Sequence, residues 1–268
     1  MIRGICDIIT ENIKYFPRVA RHSFMSIKKM NTGSDLGYLW LFVKPIMYLL
    51  MFYAAIAIGF RNEKTIDGFD GPYLVWLASG LFAWFYMQNY VAGGAKCFAK
   101  NKLLLKRYNI PVSVIPTLNL MPGLYIHFAM IVLLFVIAML LGVKPCIHWI
   151  QIPIYTACMV YFCYIWSLLI GLLTSIHGDF FNFLKSVRPA YFWLSGIFFN
   201  SRPRPNQHLF YYNPISFPVE GYRNCIGYHT WFWEEPGRCK CFMISMLIIT
   251  VLAVLLYRRV RRTLPEFI

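Results

Sequence analysis

Few side chains in this sequence are placed to do chemistry, and Lys44 stands out because it is the one charge in the apolar run Leu36–Phe60. In a helix that starts at Leu36 it lies about 12 Å along the axis, since each residue advances a helix by about 1.5 Å. A charge deep in a bilayer costs about 2.5–3.5 kcal/mol on insertion scales. Lys44 therefore either snorkels back to the interface or faces an anionic substrate or a subunit contact. Aromatic residues, 18% of the chain, are the second resource. They include Trp40, Tyr73, Trp76, Trp84 and Phe85 early in the chain, and Phe192, Trp193 and Phe198 later. Along Pro72–Ala92, the residues Tyr73, Trp76, Gly80, Trp84 and Met87 fall on one helical face. Such residues either anchor span ends at the two interfaces or line a passage where sugar rings and isoprenoid chains pack on flat apolar faces.

The chemistry of catalysis is sparse. The sequence has no Gly-Lys dipeptide and hence no P-loop, so ATP-driven work requires another chain. It has no HExxH or GxSxG, and its six His, at 22, 127, 148, 177, 208 and 229, are scattered. His127, alone in an apolar stretch, reads as a packed or hydrogen-bonded residue before a ligand. The apolar stretches hold none of the buried carboxylates that ion-coupled carriers use. Asp179 and Glu220 are the carboxylates that a membrane-embedded glycosyl or acyl transferase would draw on. Cys225, Cys239 and Cys241 share one loop in which a disulfide is chemically allowed. Cys239-Lys240-Cys241 lacks the two-residue gap common in zinc sites, and no metal is expected.

The elements that hold these residues follow from composition. With 59% apolar and 14% charged residues, the chain has too little polar surface for a water-soluble domain. The net charge of +15 brackets apolar runs and forms no stripe interleaved with base-stacking aromatics, so nucleic acid is not an expected partner. About 20 apolar residues cross a bilayer. Leu36–Phe60, Pro72–Ala92, Pro111–Val143, Pro145–Ile176 and Cys241–Tyr257 each suffice, while Pro189–Ser201 alone reads as a half-helix. The long third run is expected to keep its Pro111–Pro116 end outside the lipid.

Loop charge decides the count. Six spans place 17 Lys and Arg on the side of 1–35, 93–110, 177–188 and 258–268, against 8 in 61–71, 144 and 202–240, with Lys44 completing the 26. Five spans would turn the run Arg258–Arg262 outward. Six crossings are therefore expected, the fifth over Phe180–Phe199 with a break near Pro189, and both termini cytoplasmic. Residues 1–35 carry no cleavable-signal pattern, so the first span is expected to direct its own insertion. Ile5, Ile8, Ile9, Ile13 and Phe16 share a helical face there, predicting an amphipathic interface helix interrupted near Pro17. Residues 36–268 form one membrane domain.

The order of an amphipathic helix, six spans and no ATPase motif resembles the type-2 permeases of ATP-binding-cassette exporters for polysaccharide or teichoic acid. Leu36-Gly37-Tyr38-Leu39-Trp40 through Pro45 looks like the start of that family's first span. Asn101 to Pro116 is similar to its second cytoplasmic loop, and Asn213-Pro214 followed by Gly221-Tyr222-Arg223 resembles its outer re-entrant region. Trp231-Phe232-Trp233-Glu234 and the Trp76-to-Trp84 segment lean toward the teichoic-acid branch. Where many relatives carry Arg before Asp179, this chain has His177-Gly178, and no role is carried over to that position.

The resemblance implies an all-α permease of the bacterial plasma membrane, a homodimer joined to two copies of a separate ATPase. That partner, not this chain, would bind ATP and Mg. The implied cargo is an undecaprenyl-diphosphate-linked teichoic acid, O-antigen or capsule polymer. Lys96, Lys100, Asn101, Lys102, Lys106, Arg107 and Pro111 are then candidates for contact with the moving ATPase, although a solvated cytoplasmic loop has the same composition. Arg18, Arg21, Lys28, Lys29 and Lys44 could gather a diphosphate headgroup, as they could any anionic lipid.

Overall fold

The computed structural model describes residues 2–29, 35, 37–59, 66–199, 212–261 and 263–264. Among these residues the chain is helical, with no strand. The span ends Leu36 and Phe60, the charges Arg61, Lys64, Arg202 and Arg204, and Arg262 lie outside the described residues. The principal helices are α1 (Ile2–Lys29), α2 (Trp40–Gly59), α3 (Tyr73–Val91), α4 (Cys97–Lys100) and α5 (Lys102–Tyr108). They continue with α6 (Val114–Leu140), α7 (Ile152–Ile176), α8 (Asp179–Leu194), α9 (Ser216–Arg223) and α10 (Pro236–Val260).

Among the described residues, four stretches are long and apolar enough to cross a bilayer: Gly37–Ile56, Val114–Leu140, Ile147–Ile176 and Pro236–Val260. The chain is thus a multi-pass membrane protein. Helix α3 is different in kind. Its 19 residues carry no charge, yet Ser79, Gln88 and Asn89 dilute its hydropathy. It is buried nearly all round, with Val75, Trp76, Leu77, Ala78, Leu81, Phe82, Ala83 and Met87 wholly enclosed by α2, α6, α7, α8 and α9. A helix hydrophobic on every side belongs at the centre of a bundle, and α3 is the axis on which the others pack.

Local sequence explains the boundaries. Helix α6 ends in a Schellman arrangement: Gly142 takes φ +88°, its N–H donates to the Met139 carbonyl at 3.1 Å, and the Val143 N–H donates to that of Ala138 at 3.0 Å. Asn109 closes α5 in the left-handed conformation at φ +47°, and Pro111 follows two residues later. Helix α7 starts with Pro153 in its first turn, where a missing N–H costs nothing.

Two proline breaks expected from the sequence are absent. Helix α1 runs unbroken through Pro17, and α8 through Pro189. Each proline removes one hydrogen bond to the carbonyl four residues earlier, on Ile13 and Lys185. Ile8 and Val19 pin both halves of α1 to the bundle across the proline.

Helix α1 also turns differently from the simple amphipathic picture. Ile8, Val19 and Ser23 are buried against the bundle, whereas Ile9, Ile13, Phe16 and Phe24 form an exposed apolar stripe. Its acidic and amide side chains point inward. Glu11 accepts hydrogen bonds from the hydroxyls of Ser113 and, at 2.8 Å, Tyr257. Asn12 donates to the Tyr164 hydroxyl at 3.0 Å, and Asp7 pairs with Arg261 at 2.6 Å. Gly4 lets α1 close on Val254 and Arg258, where a Cβ would meet both side chains.

Candidate functional site

A cavity of about 520 Å³ opens between α2, α3 and α6, floored by the Gly93–Lys96 turn and α4. Lys44 from α2 and Lys100 from α4 both line it, together with the amides of Gln88, Asn89 and Asn119. Aromatic walls face these polar groups: Trp40, Tyr48, Phe82, Phe85, Tyr86 and Tyr90. The Lys44 ammonium lies 5.8 Å from the Trp40 ring centroid. The wall of α6 is shaped by Pro122-Gly123. The hydroxyl of Tyr90 abuts Gly123, where a Cβ would collide with it, and donates to the Asn119 carbonyl at 3.3 Å in the turn before the proline. Asn101 fixes the floor by donating to the Cys97 carbonyl at 2.8 Å and to Asn119 Oδ1 at 3.3 Å. Burial pushes the Cys97 thiol up to about 12, so this lining residue stays neutral. Two cations, several amides and flat apolar walls in one hollow suit a ligand with an anionic head and an apolar body.

From the cavity a chain of ring contacts runs along α2. Tyr48 meets Phe85 at 6.0 Å and Phe52 at 6.5 Å between centroids. Phe52 meets Phe192 at 5.5 Å and Phe198 at 5.1 Å, and Trp193 meets Phe198 at 5.4 Å. Trp84 joins at Phe192, 5.8 Å away. The aromatic candidates thus divide. Trp40 and Phe85 line the cavity, and Trp84, Phe192, Trp193 and Phe198 belong to the ring chain beside it. Tyr73 and Trp76 belong to neither.

Trp76 sits in a buried charged knot. The guanidinium of Arg223 stacks 3.4 Å from its ring centroid and donates to Glu220 Oε1 at 2.7 Å, to the Gly196 carbonyl at 2.9 Å and to the Trp76 carbonyl at 3.3 Å. Tyr73 stacks on Trp76 at 5.6 Å, and the indole N–H donates to the Tyr228 hydroxyl at 3.1 Å. Arg223 is therefore not an outer-loop charge: it is fully buried, as is Glu220, the carboxylate considered for catalysis. Asp179 is exposed at the start of α8. The knot holds α9 against α3, and residues 215–228 are buried throughout. His127 belongs to the same packing, its Nε2 lying 2.7 Å from the Tyr222 hydroxyl, which lies 2.6 Å from Thr156 Oγ1. Asn213 starts the segment by donating to the Leu194 carbonyl at 2.7 Å and accepting the Ile215 N–H at 3.0 Å.

The basic loop is a defined surface. Lys102, Lys106 and Arg107 are exposed on α5, with Leu103 and Tyr108 presenting apolar surface among them. Lys96 caps the turn beneath, its ammonium 3.9 Å from the Phe181 ring centroid of α8. Pro111 follows as the link into α6. Arg18, Arg21, Lys28 and Lys29 lie exposed along α1, whose Arg18 shares a small hollow with Tyr108. The Tyr38 hydroxyl donates to the Lys28 carbonyl at 3.1 Å, so the starts of α2, α5 and the end of α1 meet at one end of the molecule. Gln88, Asn89, Asn119, Tyr86 and Tyr90 were not singled out by sequence. The pair Gln88-Asn89, polar at the tail of an otherwise apolar run, was the available signal.

All eight cysteines are free thiols, Cys225, Cys239 and Cys241 included. No family model matches this chain. Two O-antigen export system permease proteins RfbA of Klebsiella pneumoniae are similar to it, at 23% and 22% identity, each over 247 residues that cover 90% of this chain and 91% of the relative. A Myxococcus xanthus protein of the same name is 22% identical over 173 residues, 65% of this chain and 64% of its own length.

Proposed function

We propose that this chain is the transmembrane subunit of an ATP-driven exporter in the bacterial inner membrane, moving a lipid-linked polysaccharide, with a separate ATPase supplying the energy. Full-length likeness to O-antigen export permeases supports the class, and the cavity carries the reading of mechanism. Its two lysines and three amides suit the diphosphate of an undecaprenyl carrier, while Trp40, Tyr48 and Phe85 suit the first sugar or isoprene units. From there the ring chain along α2 and α8 gives a sequence-tolerant surface for successive sugars, because any pyranose has an apolar face. In this reading α3 and the 16-residue α8 are the second and fifth of six crossings, and residues 215–228 re-enter from the outer side, enclosed by protein as irregular membrane backbone must be. Two copies would face each other across the exposed side of α2, so that the ring chains enclose one passage.

Coupling falls to α4 and α5. Helix α5 offers cations around Leu103 and Tyr108 to the ATPase, and Asn101 ties that helix to the cavity floor, so movement of one displaces the other. O-antigen and teichoic acid both satisfy this chemistry; the names of the relatives favour the first. The test is the ATPase rate of the purified complex with and without a short undecaprenyl-diphosphate oligosaccharide. Stimulation by the substrate, lost in Lys44→Ala/Lys100→Ala, is expected. Equal rates with and without substrate in a folded complex would overturn the assignment of the cavity.

A further inference from the structure

We propose that Cys146, His148 and His229 form a zinc site that staples the α6–α7 connection to the chain after α9. The three side chains come from two segments about eighty residues apart, and their potential ligand atoms lie within 4.8 Å of one another. Cys146 Sγ is 3.1 Å from His229 Nδ1. The other nitrogen of that ring, Nε2, lies 3.3 Å from Asp70 Oδ2. With the proton on Nε2 donated to the carboxylate, the Nδ1 lone pair is directed at the thiol, the tautomer in which ligating histidines are usually held by a carboxylate behind them. His148 supplies the third ligand. Its Nδ1 is buried with no hydrogen-bond partner, and its ring lies 5.7 Å from that of His229.

The backbone supports a constrained site. His229 closes the helical turn Asn224–Tyr228 in the left-handed conformation at φ +51°, which sets the direction in which its ring leaves the backbone. The Asp70 N–H donates to the Gly227 carbonyl at 2.9 Å, fixing the carboxylate relative to the histidine it serves. Two imidazoles and one thiolate suit zinc, with water as fourth ligand, and zinc–ligand bonds of about 2.0–2.3 Å place nitrogen and sulfur about 3.5 Å apart. Closing the widest gap asks for a shift of about 1 Å. On binding, the Cys146 thiol loses its proton to solvent, and three outer connections, carrying Asp70, Cys146 and His229, become one rigid cap. The expectation of no metal rested on Cys239-Lys240-Cys241, which takes no part here.

The full chain, purified in detergent and stripped with chelator, is titrated with zinc and, separately, with cobalt. About one zinc per chain, a rise in melting temperature that chelator reverses, and a thiolate-to-cobalt charge-transfer band are expected. Cys146→Ser and His229→Ala abolish the band while Cys241→Ser keeps it. Asp70→Asn, at an exposed carboxylate that leaves packing intact, weakens zinc binding about 10–100-fold. Absence of zinc uptake by a monodisperse, cooperatively melting chain overturns the proposal, as does a band that survives Cys146→Ser.

Discussion

Arg223 has no exposed surface, and removing such a group while its partner stays costs far more than the pair is worth, because a buried charge is left uncompensated. Arg223→Ala is expected to destabilise the chain by about 3–5 kcal/mol, read as a lower thermal midpoint in detergent, and the double change with Glu220→Ala to recover part of it. The cavity lysines behave oppositely, since both are exposed in the free chain and pack on little. Lys44→Ala/Lys100→Ala is expected to leave the melting curve within about 0.5 kcal/mol of the parent while substrate stimulation falls at least tenfold. Sequence distinguished Lys44, because one charge in a long apolar run is visible by itself. It gave no sign that Lys100 would stand across the same hollow, or that Arg223 would lie under Trp76, since both depend on contacts between distant positions.

At the scale of elements, α1 is bound to the bundle by polar groups as much as by apolar ones. Glu11→Ala leaves the hydroxyls of Ser113 and Tyr257 without their carboxylate, a loss of about 1.5–3 kcal/mol for charged hydrogen bonds. Faster amide exchange confined to α1 is the expected readout, with α6 and α7 unchanged. Because α1 is continuous through Pro17, Pro17→Ala restores a hydrogen bond to Ile13 and is expected to raise the melting temperature. Periodicity revealed the helix α1 and the exposure of Ile9, Ile13 and Phe16, while Ile8 of the same expected face is buried. It could not assign Glu11 and Asn12 to the inner face, because their partners are Ser113, just before α6, and Thr117, Tyr164 and Tyr257 on three other helices. The proline breaks failed for a related reason: tertiary packing of both flanks outweighs one lost hydrogen bond.

Across the whole molecule, the two ends differ in what they present. The basic residues of α1, α4, α5 and the end of α10 gather at one end, and stacked pairs such as Phe135–Trp149 and Trp231–Trp233 mark the other. Single cysteines replacing Lys106 and Lys144 in an otherwise cysteine-free chain are expected to react with impermeant reagents from opposite faces of the membrane. The four longest spans were legible from hydropathy, as was their order. The buried role of α3 was not, because an uncharged, aromatic-rich run reads the same facing lipid or protein.

Export itself is tested by sealing the chain and its ATPase into vesicles loaded with a fluorescent undecaprenyl-diphosphate oligosaccharide and following its appearance on the far leaflet. ATP-dependent movement, absent with a non-hydrolysable nucleotide and at least tenfold slower in Lys44→Ala/Lys100→Ala, is the expected result. A folded complex that hydrolyses ATP yet moves no lipid-linked sugar would contradict a role in export.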